Sequence, residues 1–269
     1  MNQELVEAVR ERKTVLFVGA GVSRNLGLPS WNDLVKHLAQ ELDYDPEIFA
    51  THGDYLALAE YFQLEKGTIG SLRSWMDRTW HSEIDIGRSD IHNLIVELDF
   101  PIIYTTNYDT WLERAYAAHS KAYIKVANVG DIGKTRDGAT QIVKFHGDLE
   151  DDASIVLTES SYFTRLDLES PLDIKLRSDL LGRSVLFIGY SLSDINIRYI
   201  LFKLNRQWLS SPFSGARPKS FIFLSRPNPI QERLLTHRGI DAIVSDHDDP
   251  KEGLRDFLHQ LSREALGRT

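Results

Sequence analysis

A glycine-rich turn follows directly after an apolar run near the start of the chain. The run is Thr14–Val18, with sequence TVLFV, and residues 19–23 continue as GAGVS. Glycines let a backbone turn tightly and approach a phosphate closely, and a helix after the turn would point its N–H groups at that phosphate. Ser23 could cap such a helix or bind the phosphate directly. The segment therefore indicates a nucleotide site, although a tight turn without any ligand would have the same sequence.

Asn107 and His146 are the side chains whose types best suit reaction chemistry. Each follows an apolar run, at residues 101–104 and 142–145. A histidine can take a proton from a hydroxyl near neutral pH, and an asparagine can position a sugar or a water without adding charge. Each also has a structural interpretation: Asn107 could cap a helix starting at Asp109, and His146 could be a core histidine bonded to a backbone carbonyl. These two residues alone leave both interpretations open.

Apolar runs rich in β-branched and aromatic residues predict the strands that must position these groups. They cover residues 14–18, 101–104, 142–145, 185–188, 221–224 and 242–244, with helical patterns between several of them. Strands that are apolar throughout and alternate with helices indicate a Rossmann-like α/β fold, a parallel sheet with helices on both faces. Ligands of such sheets bind beyond the carboxyl ends of the strands.

The first two predicted strands lie much further apart than a simple crossover requires. A strand–helix–strand unit takes roughly 30 residues, whereas here residues 19–100 intervene. Leu34, Leu38 and Leu42 recur every four residues, which is typical of a helix. We therefore expect a small helical module, at about residues 32–98, inserted in a single domain that covers residues 1–269.

Composition excludes several classes of site. The chain has no cysteine, so it has no disulfide, no cysteine-ligated zinc and no thiol nucleophile. Its formal net charge of -8 argues against direct binding of nucleic acid, which needs a basic surface. No apolar run approaches the length of a membrane span. We expect a cytoplasmic protein without a membrane partner.

Four segments together resemble the motifs of the sirtuin family. Residues 19–32, GAGVSRNLGLPSWN, resemble the signature in which GAGIS is followed by a small loop and Gly-Ile-Pro. Residues 105–109, TTNYD, resemble Thr-x-Asn-x-Asp, and His146-Gly147 resembles His-Gly. Residues 189–192, GYSL, resemble Gly-x-Ser. The four segments follow the family's order, which is far more specific than any one of them.

The resemblance implies an NAD site at the carboxyl edge of the sheet. Asn107 would hold the nicotinamide ribose, and His146 would be the base on a ribose hydroxyl. The other positions implied to bind NAD are Gly19, Ala20, Gly21, Ser23, Pro29, Trp31, Thr106, Asp109, Gly189 and Ser191. Cleavage of the nicotinamide–ribose bond builds positive charge on the ribose. Nicotinamide leaves as a neutral group, so no acid is needed to protonate it.

The chain departs from the deacetylating sirtuins in two places. It lacks the four-cysteine zinc module that these enzymes carry between His-Gly and Gly-x-Ser, which puts protein deacetylation in doubt. Ser30-Trp31-Asn32 replaces the family's Asp-Phe-Arg, although Trp31 could still shield the reacting ribose. The motifs resemble the bacterial, zinc-free branch of sirtuin-like domains, which hydrolyse NAD in antiphage defence. The resemblance thus implies an NAD+ glycohydrolase that releases nicotinamide and ADP-ribose and depletes NAD+ in abortive infection.

Two alternatives stay open at this point. One is an NAD-dependent protein deacylase or ADP-ribosyltransferase, and the other is a catalytically silent nucleotide-binding subunit. The chain has no apparent room for a sensing domain, and an unchecked NAD hydrolase would be toxic. We therefore expect a homo-oligomer, or control by a partner such as a HerA-type ATPase or an Argonaute-like protein, as the resemblance implies.

Overall fold

A parallel sheet forms the centre of the molecule. The computed structural model describes residues 1–81, 84–134, 136, 138–192 and 194–267. Its strands are β1 (Thr14–Val18), β2 (Ile102–Thr105), β3 (Tyr123–Val126), β4 (Thr140–Lys144), β5 (Ser184–Ile188), β6 (Ser220–Leu224) and β7 (Ile240–Val244). Within the described residues they form a seven-stranded sheet in the order β3-β4-β2-β1-β5-β6-β7, with parallel pairing throughout.

The predicted Rossmann-like α/β class is confirmed. All six predicted strands are present, with ends that differ by at most a few residues. Strand β3 was not predicted, because its sequence YIKV lies at the sheet edge and its first three residues are only half-buried. An edge strand does not need the continuous apolar run by which the other strands were recognised.

The register brings the residues after four strands to the same edge of the sheet. Val18 at the end of β1 pairs with Thr105 of β2 and with Ile188 of β5, and Thr105 pairs with Lys144 of β4. After β1 the chain builds one half of the sheet and then returns to β5 on the other side of β1. The strand order therefore reverses between β1 and β5, where sheets of this kind leave a crevice.

Helices cover both faces of the sheet. They are α1 (Gln3–Arg10), α2 (Ala20–Arg24), α3 (Trp31–Glu41), α4 (Pro46–Phe49), α5 (Tyr55–Lys66), α6 (Gly70–Trp80), α7 (Asp90–Leu98), α8 (Trp111–Ala118), α9 (Val129–Ile132), α10 (Glu159–Arg165), α11 (Pro171–Leu181), α12 (Ile195–Leu209), α13 (Pro229–His237) and α14 (Pro250–Leu266). Helices α1, α7, α8 and α14 share one core with the sheet. Helices α11 and α12 pack on the opposite face. Among the described residues, no helix is both long and apolar enough to cross a membrane.

Helices α3 to α6 have a hydrophobic core of their own. Leu38, Phe62 and Met76 are fully buried in it. Tyr108 and Leu157 join the same core from the segments that follow β2 and β4, so this group of helices is anchored beside the carboxyl edge of the sheet. Helix α7 ends the stretch that was expected to form the inserted module, yet its buried residues belong to the sheet core.

Candidate functional site

A large cavity lies at the carboxyl edge of the sheet. Its volume is about 820 Å³, and it is lined by segments that follow β1, β2, β4, β5 and β6. Nearly all the residues implied by the resemblance lie on its wall, namely Ala20, Gly21, Ser23, Pro29, Trp31, Thr106, Asn107, Asp109, His146, Gly189 and Ser191. Gly19 is the exception. The fold thus brings together residues that are far apart in the chain.

The glycines after β1 pack directly against the turn after β5. The Gly19 N–H donates to the carbonyl of Ile188 at 3.0 Å, and the Gly21 N–H donates to the carbonyl of Gly189 at 2.8 Å. Gly189 has a φ of +59°, which side chains rarely allow. A Cβ added at Gly21 would lie 2.8 Å from the Cα of Gly189, so no larger residue fits. These glycines therefore have a packing role, and the N–H groups of Gly19 and Gly21 already have protein acceptors.

A hydrogen-bond chain connects the loop after β1 with the loop after β2. Asn107 Nδ2 donates to Ser23 Oγ at 3.0 Å, and Ser23 Oγ donates to Asp109 Oδ2 at 2.7 Å. Asp109 is buried, and its other oxygen accepts from the Trp111 N–H at 3.2 Å. Nδ2 uses one of its two hydrogens on Ser23, so its second N–H and the carbonyl oxygen Oδ1 of Asn107 are the polar groups that can meet a ligand.

A buried ion pair stabilises the loop after β2, which carries Asn107 and Asp109. Lys144, at the end of β4, is fully buried, and its Nζ donates to the backbone carbonyl of Asp109. The same Nζ lies 3.6 Å from Glu113 Oε1 on α8. Burial raises the pKa of Glu113, although Lys144 opposes that shift. Lys144 therefore ties β4 to the loop that presents Asn107.

His146 is buried between two polar side chains. Its Nδ1 lies 3.2 Å from the hydroxyl of Tyr162, and its Nε2 lies 3.1 Å from Asp194 Oδ2. Asp194 Oδ1 accepts from the N–H groups of Asn196 and Ile197 at 2.8 and 3.1 Å and so caps helix α12. Burial alone would raise the pKa of Asp194, but His146 and the two backbone N–H groups outweigh burial, and the pKa is lowered.

The two structural interpretations left open by the sequence do not describe these residues. Helix α8 begins at Trp111 with Thr110 as its N-cap, and its first N–H group donates to Asp109 rather than to Asn107, so Asn107 is not a helix cap. The hydrogen bond and the ion pair of the His146 ring are made with side chains rather than with a backbone carbonyl. Both residues instead face the cavity.

Trp31 stands at the cavity mouth at the start of α3. Ser30 and Asp33 form a capping box there, in which the Asp33 N–H donates to Ser30 Oγ at 3.4 Å and the Ser30 N–H donates to Asp33 Oδ2 at 2.8 Å. Trp31 is exposed and stacks on Tyr55, with ring centroids 4.9 Å apart. The cap fixes where α3 begins, and it therefore places an aromatic face on the cavity wall.

The sequence did not reveal several residues of the wall. Tyr55, Tyr108, Tyr162 and Tyr190 line the cavity, and Asp194, noted only as part of a motif, lies among them. Tyr162 stands on α10, outside every recognised motif, and no pattern in the sequence could have identified it. Two exposed arginines also line the cavity, Arg24 at the end of α2 and Arg226 after β6. The position directly after a buried strand could have indicated Arg226.

A family model described as a SIR2-like domain matches residues 101–243. The chain belongs to the SIR2-like domain family. The matched range contains Asn107, His146, Gly189 and Ser191, whereas the glycine turn after β1 precedes it. Within the described residues, no group of three or more His, Asp or Glu side chains is placed to hold a metal ion.

Three curated proteins are similar in sequence to this SIR2-like chain. NAD(+) hydrolase ThsA of Enterococcus faecium is 32% identical over 200 residues, which are 72% of this chain and 40% of that protein. ThsA of Cytobacillus dafuensis is 29% identical over 205 residues, 75% of this chain and 40% of that protein. Defense-associated sirtuin 2 of Bacillus subtilis is 28% identical over 243 residues, 87% of this chain and 23% of that protein. The chain thus spans about two fifths of the length of these ThsA proteins.

Solved structures of Sir2 proteins share the SIR2-like fold of this chain. A Sir2 homologue in complex with NAD has a TM-score of 0.54 at 14% identity, covering 99% of this chain and 94% of the other. A mutant Sir2 homologue in complex with ADP-ribose has a TM-score of 0.55 at 15% identity, covering 100% and 99%. At these identities the likeness is one of fold.

Proposed function

We propose that this chain hydrolyses NAD+ to nicotinamide and ADP-ribose. The observation that carries the proposal is that Asn107 and His146 lie on the wall of one large cavity, beside the two glycine turns at the reversal point of the sheet. Relatives named NAD(+) hydrolase and a fold neighbour solved with NAD support the same substrate.

Asn107 and His146 divide the chemistry between them. The bond from its amide nitrogen to Ser23 fixes the side chain of Asn107, whose carbonyl oxygen and second N–H position the nicotinamide ribose and a water. His146 is the base for a ribose hydroxyl. The charge that develops on the ribose is positive, so a polar but uncharged side chain beside it and a proton acceptor nearby both favour cleavage. Thr106, Asp109 and Ser191 stay predicted contacts of the cofactor.

The diphosphate of NAD+ carries negative charge that the cavity can balance. Arg24 and Arg226 both line the cavity and are exposed, and a guanidinium can bind two phosphate oxygens at once. The N–H groups of Gly19 and Gly21 are already used, and Ser23 donates its single hydroxyl hydrogen to Asp109, so the glycine turn contributes its close backbone rather than these donors. We therefore expect phosphate binding to depend on the arginines as well as on the turn.

The test is an NAD+ assay with the purified chain and with two single variants. Nicotinamide and ADP-ribose should appear in equal amounts without any acyl peptide. His146→Ala should lower turnover by about 10²–10⁴-fold, the usual contribution of a general base, and Asn107→Ala should also abolish it while the protein stays folded. His259→Ala is the matched control, because His259 is exposed on α14 and does not line the cavity. If both site variants consumed NAD+ as fast as the control variant, the assignment of the site would be wrong.

The same assay separates the other functions. Turnover that requires an acyl peptide would identify a deacylase. Transfer of ADP-ribose to an acceptor molecule would identify an ADP-ribosyltransferase. Tight binding of NAD+ without turnover, with or without the products of neighbouring genes, would identify a nucleotide-binding subunit.

We further propose that the activity serves antiphage defence in the cytoplasm. The name of the Bacillus subtilis relative, defense-associated sirtuin 2, supports this role. Control would come from homo-oligomerisation or from a partner protein such as a HerA-type ATPase or an Argonaute-like protein. We do not expect the chain to bind a membrane or a nucleic acid directly. Cells that carry the chain with its neighbouring genes should lose NAD+ during infection and restrict phage. Cells that carry His146→Ala should do neither.

A further inference from the structure

Three side chains from different elements meet beside the cavity. His146 follows β4, Tyr162 lies on α10, and Asp194 caps α12. All three line the cavity and are almost completely buried. The rings of His146 and Tyr162 meet edge to face, with centroids 5.0 Å apart. The protein therefore places a hydroxyl beside Nδ1 and a carboxylate beside Nε2 of the imidazole ring before any substrate binds.

Asp194 is a fixed and ionised neighbour of the ring. Its Oδ1 accepts the N–H groups of Asn196 and Ile197, so the carboxylate cannot rotate away from α12 without losing the helix cap. Its Oδ2 lies 3.1 Å from His146 Nε2. The lowered pKa of this carboxyl keeps it charged at neutral pH.

This arrangement selects one tautomer of His146. His146 Nε2 lies 3.1 Å from the Asp194 carboxylate but is not aligned for a hydrogen bond. A carboxylate has no proton to donate, and it would repel a nitrogen lone pair at this distance, so the charge favours the tautomer that carries its proton on Nε2. In that tautomer Nδ1 presents its lone pair to the Tyr162 hydroxyl, which lies 3.2 Å away and donates to it. It follows that the basic nitrogen of His146 is reached through the Tyr162 hydroxyl.

We propose that Tyr162, His146 and Asp194 form a proton relay for the ribose hydroxyl, which rests on the proposed NAD+ hydrolysis. The ribose O–H bond breaks and its proton passes to Tyr162 Oη, while Tyr162 passes its own proton to His146 Nδ1. The ribose oxygen keeps the electron pair and stabilises the positive charge that develops as nicotinamide leaves. The imidazolium is held by Asp194, and the proton returns by the same route. Tyr162 touches the substrate and is catalytic, whereas Asp194 is a positioning residue.

Two conservative substitutions separate this relay from a packing role. Tyr162→Phe keeps the ring and its edge-to-face contact and removes only the hydroxyl. Asp194→Asn keeps a good helix cap and replaces the carboxylate with an amide that can donate a hydrogen bond. Tyr123→Phe is the matched control for loss of a hydroxyl, because Tyr123 lies on the edge strand β3, away from the cavity.

The experiment combines kinetics with the tautomer of His146, read from ¹⁵N chemical shifts of the labelled, full-length protein. Tyr162→Phe should lower kcat for NAD+ by about 10²-fold or more with little change in KM, and Tyr123→Phe should match the wild type. The unsubstituted protein should show the Nε2–H tautomer, and Asp194→Asn should shift the population toward Nδ1–H and lower kcat. Unchanged kcat in Tyr162→Phe, beside an active wild type, would overturn the relay and leave the proposed hydrolysis intact.

The tautomer measurement decides the question even without turnover. If the isolated chain proved inactive, an Nε2–H tautomer that is lost in Asp194→Asn would still support the arrangement of the relay. An Nδ1–H tautomer in the unsubstituted protein would overturn it, whatever the enzyme assay shows.

Discussion

Replacement of Gly21 by alanine tests whether the glycine turn serves to pack two loops together. The new methyl carbon would lie 2.8 Å from Gly189 Cα and 2.9 Å from Gly189 O. Both atoms belong to the backbone, so no side chain can move aside to make room. Gly189 itself is held at a φ of +59° and is packed against the backbone N of Val22. The turn after β5 would have to move away from the turn after β1.

The cost of this displacement follows from measurements of overpacked cores. Inserting a methyl group into a tightly packed site destabilises a protein by about 1–3 kcal/mol. The Gly21 N–H bond to the Gly189 carbonyl, at 2.8 Å, would also lengthen, at a cost of about 1 kcal/mol. We therefore expect Gly21→Ala to lower the free energy of unfolding by about 2–4 kcal/mol. For a chain of 269 residues, at about 2 °C per kcal/mol, that corresponds to a Tm lower by roughly 4–8 °C.

Thermal unfolding followed by circular dichroism measures this change, with Gly182→Ala as the matched control. Gly182 follows helix α11, and a Cβ added there meets nothing within 4 Å. Its φ of -113° suits any residue, so the control should be neutral or more stable by up to about 1 kcal/mol. If Gly21→Ala and Gly182→Ala unfolded within 1 °C or so of each other, the close contact of the two turns would be refuted.

Two further predictions concern buried titratable groups. Burial lowers the pKa of His92 to about 4, although Asp109 opposes the shift. Between this value and the ordinary histidine pKa of about 6.5, His92 is therefore protonated in the unfolded chain but not in the folded protein. The free energy of unfolding should therefore fall by about 2 kcal/mol as the pH is lowered from roughly 7.5 to 5. Urea unfolding of His92→Gln over the same pH range should lack this fall. An equal dependence on pH in both proteins would contradict the prediction. Lys144→Met leaves Glu113 buried without its partner and removes the bond to the Asp109 carbonyl, so it should cost about 3–5 kcal/mol. Adding Glu113→Leu should recover part of that loss in the same urea experiment, whereas simple additivity of the two substitutions would argue against the pair.

The sequence by itself determined the fold class and about a third of the residues on the cavity wall. Strands buried on both faces must be apolar throughout, so runs such as TVLFV were recognisable, and parallel strands deliver the residues that follow them to one edge. This is why Asn107, His146 and Gly189 could be placed together before any coordinates. The half-exposed edge strand β3 was not predicted, because it has no continuous apolar run.

Only the tertiary structure decided which groups are partners. Asp194 was visible in a motif, but nothing in the chain indicates that its carboxylate faces His146 or that Tyr162 occupies the other ring nitrogen. The packing of Gly21 on Gly189 and the bond from Lys144 to the loop of Asn107 are equally hidden. Periodicity and motif spacing report which residues are buried and which strand they follow. They carry no information on the distance between atoms of elements that the fold alone brings together, and that distance determines whether a buried polar group is a support, a base or a relay.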